Sequence, residues 1–157
     1  IVPIAFDRNG NTVLPDCDKS EGPFDCVACS GRLFVRHGEK NLWHFAHATD
    51  SSCPGGESMT HLAAKLVIAK YVNKINLLRT CTKGKHKHEL QYRGCTSSLE
   101  FRYDGRHSAD VAILDSSGAL RAIVEVKHSH ATTGEALESR ISRVGAEHVW
   151  EVEATRV

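Results

Sequence analysis

The chain has 157 residues, 41% of them hydrophobic and 25% charged, with 20 Lys and Arg against 19 Asp and Glu. That is enough for one ordinary domain with a real core and a small added module. A formal charge of +1 excludes a globally basic coat, so any basic surface is local. No apolar run approaches the ~20 residues that span a bilayer, so no membrane partner is expected. Six Cys and ten His are many for this length. A Cys-x-x-Cys pair followed by clustered His favours a metal site in a reducing, intracellular compartment over a disulfide framework.

Residues 1–56 are rich in Gly, Pro, Cys and polar turn residues and read as a small β-rich module. "VPIAFDRNGNTVL" predicts two short strands around Asn9-Gly10, a hairpin signal. "FDCVACSGRLFVRHGEKNLWHFAH" predicts a knuckle, a strand, a turn at Gly38 and a second strand, with no helix. Cys26-x-x-Cys29 is followed by His44-Phe45-Ala46-His47 and Cys53. A tight Cys pair supplies two thiolates, and later His or Cys complete a tetrahedron around Zn2+. The expected ligands are Cys26, Cys29, His47 and Cys53, with His44 as the alternate. A small loop-rich segment without a helix needs such a staple.

Residues 57–157 read as a second domain. "ESMTHLAAKLVIAKYVNKI" predicts a helix over 57–75 after the breaker Pro54-Gly55-Gly56, with Leu62, Leu66, Ala69 and Val72 at helical spacing. Glu57, His61 and Lys65 are spaced i, i+4, i+8 and form one polar stripe on it. Strands follow at roughly 88–93, 98–103, 109–114 and 120–127 by the period-2 pattern. Asp115-Ser116-Ser117-Gly118 supplies the turn between the last two. Thr132 and Glu135, in capping-box spacing, open a helix over roughly 134–144 that stops at Gly145. "HVWEVE", 148–153, reads as a final strand. Helix, several strands, helix, strand predicts an α/β fold, a mixed sheet with helices packed on it.

Glu125 and Lys127 share one face of their strand, with Val126 between them on the other. Pairing through the 115–118 turn puts Asp110 opposite or diagonal to Glu125. Two carboxylates held together repel, and a bound cation or a shared proton relieves them. A hard ion such as Mg2+, or Mn2+, suits oxygen ligands. Beside it Lys127 can orient a water or meet a phosphate oxygen. The bland alternative is a surface salt bridge on a solvated strand.

The run "SADVAIL…AIVEVKHSH" resembles the PD-(D/E)xK nuclease superfamily, although Ala109 stands where the short motif has Pro. The resemblance implies a restriction-endonuclease-like α-β-β-β-α-β core. It makes Asp110 and Glu125 ligands of a catalytic metal, assisted by the Val126 carbonyl, and Lys127 the catalytic lysine. It adds Glu57 as a third acidic ligand, with His61 and Lys65 as supporting residues. The run from "DRNGNTV" through the Cys/His segment to "ESMTHLAAK" resembles competence protein CoiA-like nucleases, in which Gln often stands where Lys127 does. That likeness covers most of the chain.

Together these imply a Mg2+-dependent DNA endonuclease with a structural zinc module, acting on double-stranded DNA, with a homodimer one way to cut both strands. The competing expectations are a DNA-binding module without catalysis, and a nuclease for branched or RNA-containing substrates. Two features stay outside this scheme. "CTKGKHKHELQYRGC" holds Cys81, His86, His88 and Cys95, a weaker second metal cluster that reads equally as a basic loop with Lys83, Lys85 and Lys87. His128 and His130 follow Lys127 directly.

Overall fold

The computed structural model describes residues 2–49, 53, 57–80, 87–127 and 134–156; of Glu57, Ser58, Thr80 and Arg156 it describes the backbone only. The chain divides into two compact units, Ile1–Ala63 and Ala64–Val157.

The first unit is a five-stranded antiparallel sheet made of β1 (Ala5–Phe6), β2 (Thr12–Val13), β3 (Phe24–Asp25), β4 (Arg32–Arg36) and β5 (His44–His47), in the order β2-β1-β3-β4-β5. The Asn9-Gly10 hairpin forms as its turn chemistry dictates. Gly10 takes φ 80 and Asp7 Oδ1 accepts the amides of Asn9 and Asn11. Alternation on β4 and β5 buries Leu33 and Phe45, which join Val2, Ala5, Cys17, Phe24, Cys26 and Met59 in one apolar cluster. The rings of Phe24 and Phe45 lie 5.2 Å apart, tilted by 55°. This is a core of short strands and few large side chains.

The second unit is built on a four-stranded sheet. After α1 (Glu57–Tyr71) come β6 (Asn76–Thr80) and β7 (Lys87–Gln91), which pair only with each other. Then β8 (Thr96–Arg102), β9 (Ser108–Leu114) and β10 (Leu120–Lys127) form an antiparallel meander. α2 (Glu135–Val144) crosses over to β11 (Val149–Glu153), which pairs parallel with β10. The layout is mixed α/β and mostly sheet. The turn from β9 to β10 is the expected one: Asp115 Oδ1 accepts the amides of Ser117 and Ala119, and Gly118 takes φ 83.

The faces of β10 divide cleanly. Ala122, Val124 and Val126 face a core with Ala64 and Ile68 of α1, Val72 just after it, Val111 and Ile113 of β9, and Trp150 of β11. Ile123 faces the opposite side with Ala109, Ala112 and the partly buried Val144 of α2. Glu125 and Lys127 share the Ile123 face by alternation. No helix among the described residues is long and apolar enough to cross a membrane.

Three details differ from the sequence expectations. The buried residues described on α1 are Met59, Ala63, Ala64, Lys65 and Ile68, with Val72 just past its end, while Leu62 is left 36% exposed. The helix is thus turned so that a lysine points inward. α1 also stops at Tyr71, and residues 76–80 form β6, which has only Leu77 half-buried and so no strong alternation to announce it. α2 has Gly134 as its N-cap, with no side-chain cap, so no capping box closes it; Thr132 lies outside the described residues.

Ile113, fully buried in the larger core, and Leu78, 56% exposed, bracket the energetics. Ile113→Ala should lower the unfolding free energy by about 2–5 kcal/mol, and Leu78→Ala should change it by no more than about 0.5 kcal/mol. Urea denaturation measures both.

Candidate functional site

The first constellation lies in the first unit. β3 ends at Asp25 and β4 begins at Arg32, and the chain between them folds into a knuckle. The Cys26 amide donates to the Gly31 carbonyl (2.8 Å), the Ser30 amide donates to the Cys26 carbonyl (2.8 Å), and Ser30 takes φ 56. His47 is on the same face of β5 as the buried Phe45, and His44 is on the other. Cys26 Sγ and Cys53 Sγ are 3.6 Å apart, and Cys29 Sγ is 3.3 Å from His47 Nε2.

These separations identify the arrangement. A disulfide needs an S–S distance of about 2.05 Å. A tetrahedron with Zn–S bonds of about 2.3 Å has edges of about 3.7 Å. The donor atoms of Cys26, Cys29, His47 and Cys53 all lie within 4.8 Å of one another, so the four could hold a metal ion such as zinc. Burial disfavours a Cys26 thiolate, but the amides of Ala28 and Cys29 and the thiols of Cys53 and Cys29 bond to it. The net result lowers its pKa, toward the form that binds metal. A Cβ on Gly31 would stand 3.2 Å from Cys29 Sγ and 3.4 Å from the His47 ring, so a larger residue there would press on two of the four donors. The alternate ligand His44 is engaged elsewhere, with Nδ1 2.8 Å from the Leu42 carbonyl.

The second constellation lies in the second unit. β9 and β10 bring Asp110 and Glu125 side by side. The Val126 amide donates to Asp110 Oδ2 (2.8 Å), and the Asp110 amide donates to Glu125 Oε1 (3.4 Å). Both side chains are largely buried, 16% and 13% exposed. Each carboxylate meets a buried cation. Lys65 Nζ, on α1, lies 2.7 Å from Asp110 Oδ1 and also pairs with Glu100 of β8. Arg140 Nη2, on α2, lies 3.1 Å from Glu125 Oε2.

Sequence reasoning missed Glu100 and Arg140. Glu100 carries no sequence signal. It takes φ 49, a left-handed conformation costing a non-glycine residue about 1–2 kcal/mol, just where the β8/β9 register passes from Leu99↔Val111 to Phe101↔Ala109. Arg140 does carry one. Leu137, Arg140, Ile141 and Val144 have the spacing of a single helix face, so a cation stands inside an otherwise apolar stripe. The clasp that seats α2 is also visible: Asp104 accepts from the amides of Arg106 and His107 and from Ser139 Oγ, the residue beside Arg140. These bonds, the Arg106 amide foremost, hold the Asp104 carboxyl well below its usual range.

Lys127 makes its described ion pair with another acid. Its Nζ lies 4.0 Å from Glu151 of β11, beside a cavity of about 360 Å³ that Arg79, Leu137 and Ile141 also line. Glu57 opens α1, but its side chain lies outside the described residues, and His61 belongs to the first unit. Among the described residues the thiolate–imidazole set is the one group of three or more donors close enough for an ion. The carboxylates of Asp110, Glu125 and Glu100 are not such a set among the described residues; they pair with Lys65 and Arg140. Of the weaker cluster, Cys81 and His86 lie outside the described residues. His88 stacks near Trp150, with centroids 6.4 Å apart, and Cys95 packs against the core. His128 and His130 also lie outside.

Electrostatics follow from burial. Burial disfavours the Lys65 ammonium, but hydrogen bonds to Asp110 and Glu100 outweigh it and raise its pKa. Burial pushes Glu125 up to about 7, with the Asp110 charge adding to the rise and Arg140 opposing it.

What these sites define first is a Cys/His metal-holding β-module followed by a mixed α/β unit. Residues 9–55 match the family model described as Competence protein CoiA, N-terminal domain. That stretch contains all four residues that could hold a metal ion and supports a CoiA-like family. It is a minority of the chain, so the wider likeness expected from the sequence is matched only in its first part. Comparison with curated proteins and with solved structures gives no match.

Two outcomes are expected. Purified without chelators, the protein should carry about one equivalent of zinc by elemental analysis; His47→Ala and Cys53→Ser should lose most of it, and His44→Ala should keep it. For Glu125, the folded pKa near 7 exceeds the ordinary value of 4.5, so the native state holds the extra proton in that window. Stability therefore falls as pH rises from about 4.5 to 7 and then levels off. In magnesium-free buffer, Glu125→Gln should flatten this slope, gaining on the order of 2–3 kcal/mol over the parent between about pH 5 and pH 8. Denaturant titrations across pH measure the difference.

Proposed function

We propose that the protein is a Mg2+-dependent endodeoxyribonuclease of the PD-(D/E)xK type, with a restriction-endonuclease-like core in its second unit and a structural zinc site in its first. The observation that carries this reading is the pairing of Asp110 and Glu125 on adjacent strands, two largely buried carboxylates, Glu125 accepting from the Asp110 amide and Asp110 from the Val126 amide. A fold has little reason to bury two acids together unless the pair has work to do with a cation.

The donors fit a hard divalent ion, Mg2+ or Mn2+. Asp110 and Glu125 would hold it, with the Val126 carbonyl and Glu57 as further oxygen donors. When bound, such an ion supplies a water of lowered pKa and neutralises charge on a phosphodiester. The rest falls to the chain. Lys65, itself held by Glu100, pairs with Asp110 and fixes it in place. Lys127 stands two residues beyond Glu125 on the same face, where an ammonium can meet a phosphate oxygen as charge builds on it. His61 has no separate role in this reading.

DNA is the substrate this chemistry suits, double-stranded in the first instance. One chain offers one such site, so cutting both strands takes a homodimer or two successive events. Reduced thiols at the zinc site fit an intracellular compartment, cytoplasm, nucleoid or nucleus. The matched family, that of a competence protein, suggests a competence-related setting. Further support comes from β4, whose outward positions are Arg32, Phe34 and Arg36, with Phe34 57% exposed. An aromatic between two cations on one sheet face can stack on a base and hold phosphates.

A second reading is favoured by one observation. Lys65 and Arg140 already neutralise the carboxylates, as they would in a zinc-containing DNA-binding module without catalysis. The two readings separate on incubation of plasmid, linear, branched and RNA-containing duplexes with Mg2+ or Mn2+. The nuclease reading expects divalent-dependent cleavage of DNA, reduced roughly 10²–10³-fold or more by Asp110→Asn, Glu125→Ala or Lys127→Ala. Metal-independent binding with no cleavage of any substrate by the folded, zinc-loaded protein would leave the binding module. Preference for branched or RNA-containing strands would reassign the substrate.

A further inference from the structure

Among the described residues only two charged side chains are buried, Lys65 and Arg140. Lys65 is well satisfied, between Asp110 and Glu100. Arg140 is not. Its side chain is 9% exposed and its Nη2 meets Glu125, yet both Nε and Nη1 are buried without a hydrogen-bond partner. A buried guanidinium with two orphaned donors is costly, since each unmade bond leaves a desolvated N–H uncompensated. The Asp104–Ser139 bond fixes the helix that carries it, so the arrangement is held rather than incidental.

The charge balance says what would complete it. With all three carboxylates ionised, Lys65 and Arg140 face Asp110, Glu125 and Glu100, which leaves one net negative charge. A divalent ion alone turns that into one positive charge. A phosphodiester alone adds a second negative. With all three carboxylates ionised, the ion and the phosphodiester together balance these five described charges. A metal on Glu125 also takes the one acceptor that Arg140 now has, freeing all three guanidinium nitrogens of a long and flexible side chain to turn to an anion.

We infer that Arg140 is the residue that binds the substrate phosphate: the Glu125 carboxylate holds it in reserve, and metal binding at Glu125 releases it to a DNA phosphodiester. This rests on the nuclease reading and adds to it a phosphate-binding group and a reason for metal and DNA to bind together. Arginine suits the role, since its planar donors match phosphate oxygens and its charge is never lost.

The test is binding rather than turnover. A short DNA duplex is titrated with the zinc-loaded full chain in Ca2+ and without it, at several salt concentrations, and the duplex is checked for integrity afterwards. The parent should bind more tightly with Ca2+. Arg140→Gln should weaken binding in Ca2+ roughly tenfold, reduce the salt dependence by about one phosphate contact, and remove most of the Ca2+ enhancement. Zinc content and circular dichroism report whether the variant folds. Should it not, Arg140→Lys decides, because it keeps a cation opposite Glu125 and loses only the fork of donors; a loss of about threefold or more supports the inference. Unchanged affinity and salt slope in the folded variant would make Arg140 no more than the counter-ion of Glu125, and would overturn the inference while leaving the nuclease reading intact. A parent protein that binds no duplex in either condition would overturn both.

Discussion

The second unit depends on a problem of charge. Asp110 and Glu125 lie next to each other on neighbouring strands, almost out of water, and neither can stay ionised there alone. Lys65 answers for Asp110 and Arg140 for Glu125. Removing one partner of such a buried pair typically costs about 3–5 kcal/mol, a large share of the stability of a domain this size. That constraint reaches back into the fold. It accounts for an inward-facing lysine on α1 in place of the more apolar Leu62. It gives the left-handed Glu100 a purpose, since Glu100 is the second acceptor for Lys65. It also explains why α2 is pinned through Ser139 immediately beside Arg140.

Much of this was legible in the sequence, and the limits are physical. Strands β9 and β10 announced themselves because both faces are covered and their apolar runs are continuous, and the turn between them because Asp115 and Gly118 supply its bonds and its φ. Once that turn was fixed, the adjacency of Asp110 and Glu125 followed from alternation. The zinc ligands were legible for a related reason: His47 and Phe45 share one face of β5, and only one of the two histidines can follow the buried ring inward. The burial of Lys65 was not legible. A lysine on a helix reads the same whether its ammonium meets water or a carboxylate brought in from elsewhere in the chain. Arg140 was legible in principle, as a cation in an apolar stripe, but its partner is fifteen residues earlier by sequence number and becomes its neighbour only when α2 folds back on the sheet. Elements held mainly by tertiary contacts, such as β6, gave the weakest signal of all.

The two candidate metal sites follow opposite designs, and the contrast bears on how each would work. The Cys/His site has its donors spaced like the corners of a tetrahedron, knuckle amides turned toward the sulfur of Cys26, and tight space at Gly31. Such a donor set suits a staple that stays in place while the domain is folded. The acidic pair comes with its own counter-ions. An ion that keeps much of its water and takes few protein ligands can enter such a site only by exchange, with Lys65 and Arg140 yielding contacts as it arrives. Exchange makes occupancy sensitive to whatever else can satisfy those two cations. On the proposed nuclease reading a phosphodiester would be one such group, and Arg140, with two donors unmet among the described residues, would favour the metal when substrate is present and hold the carboxylates closed when it is not.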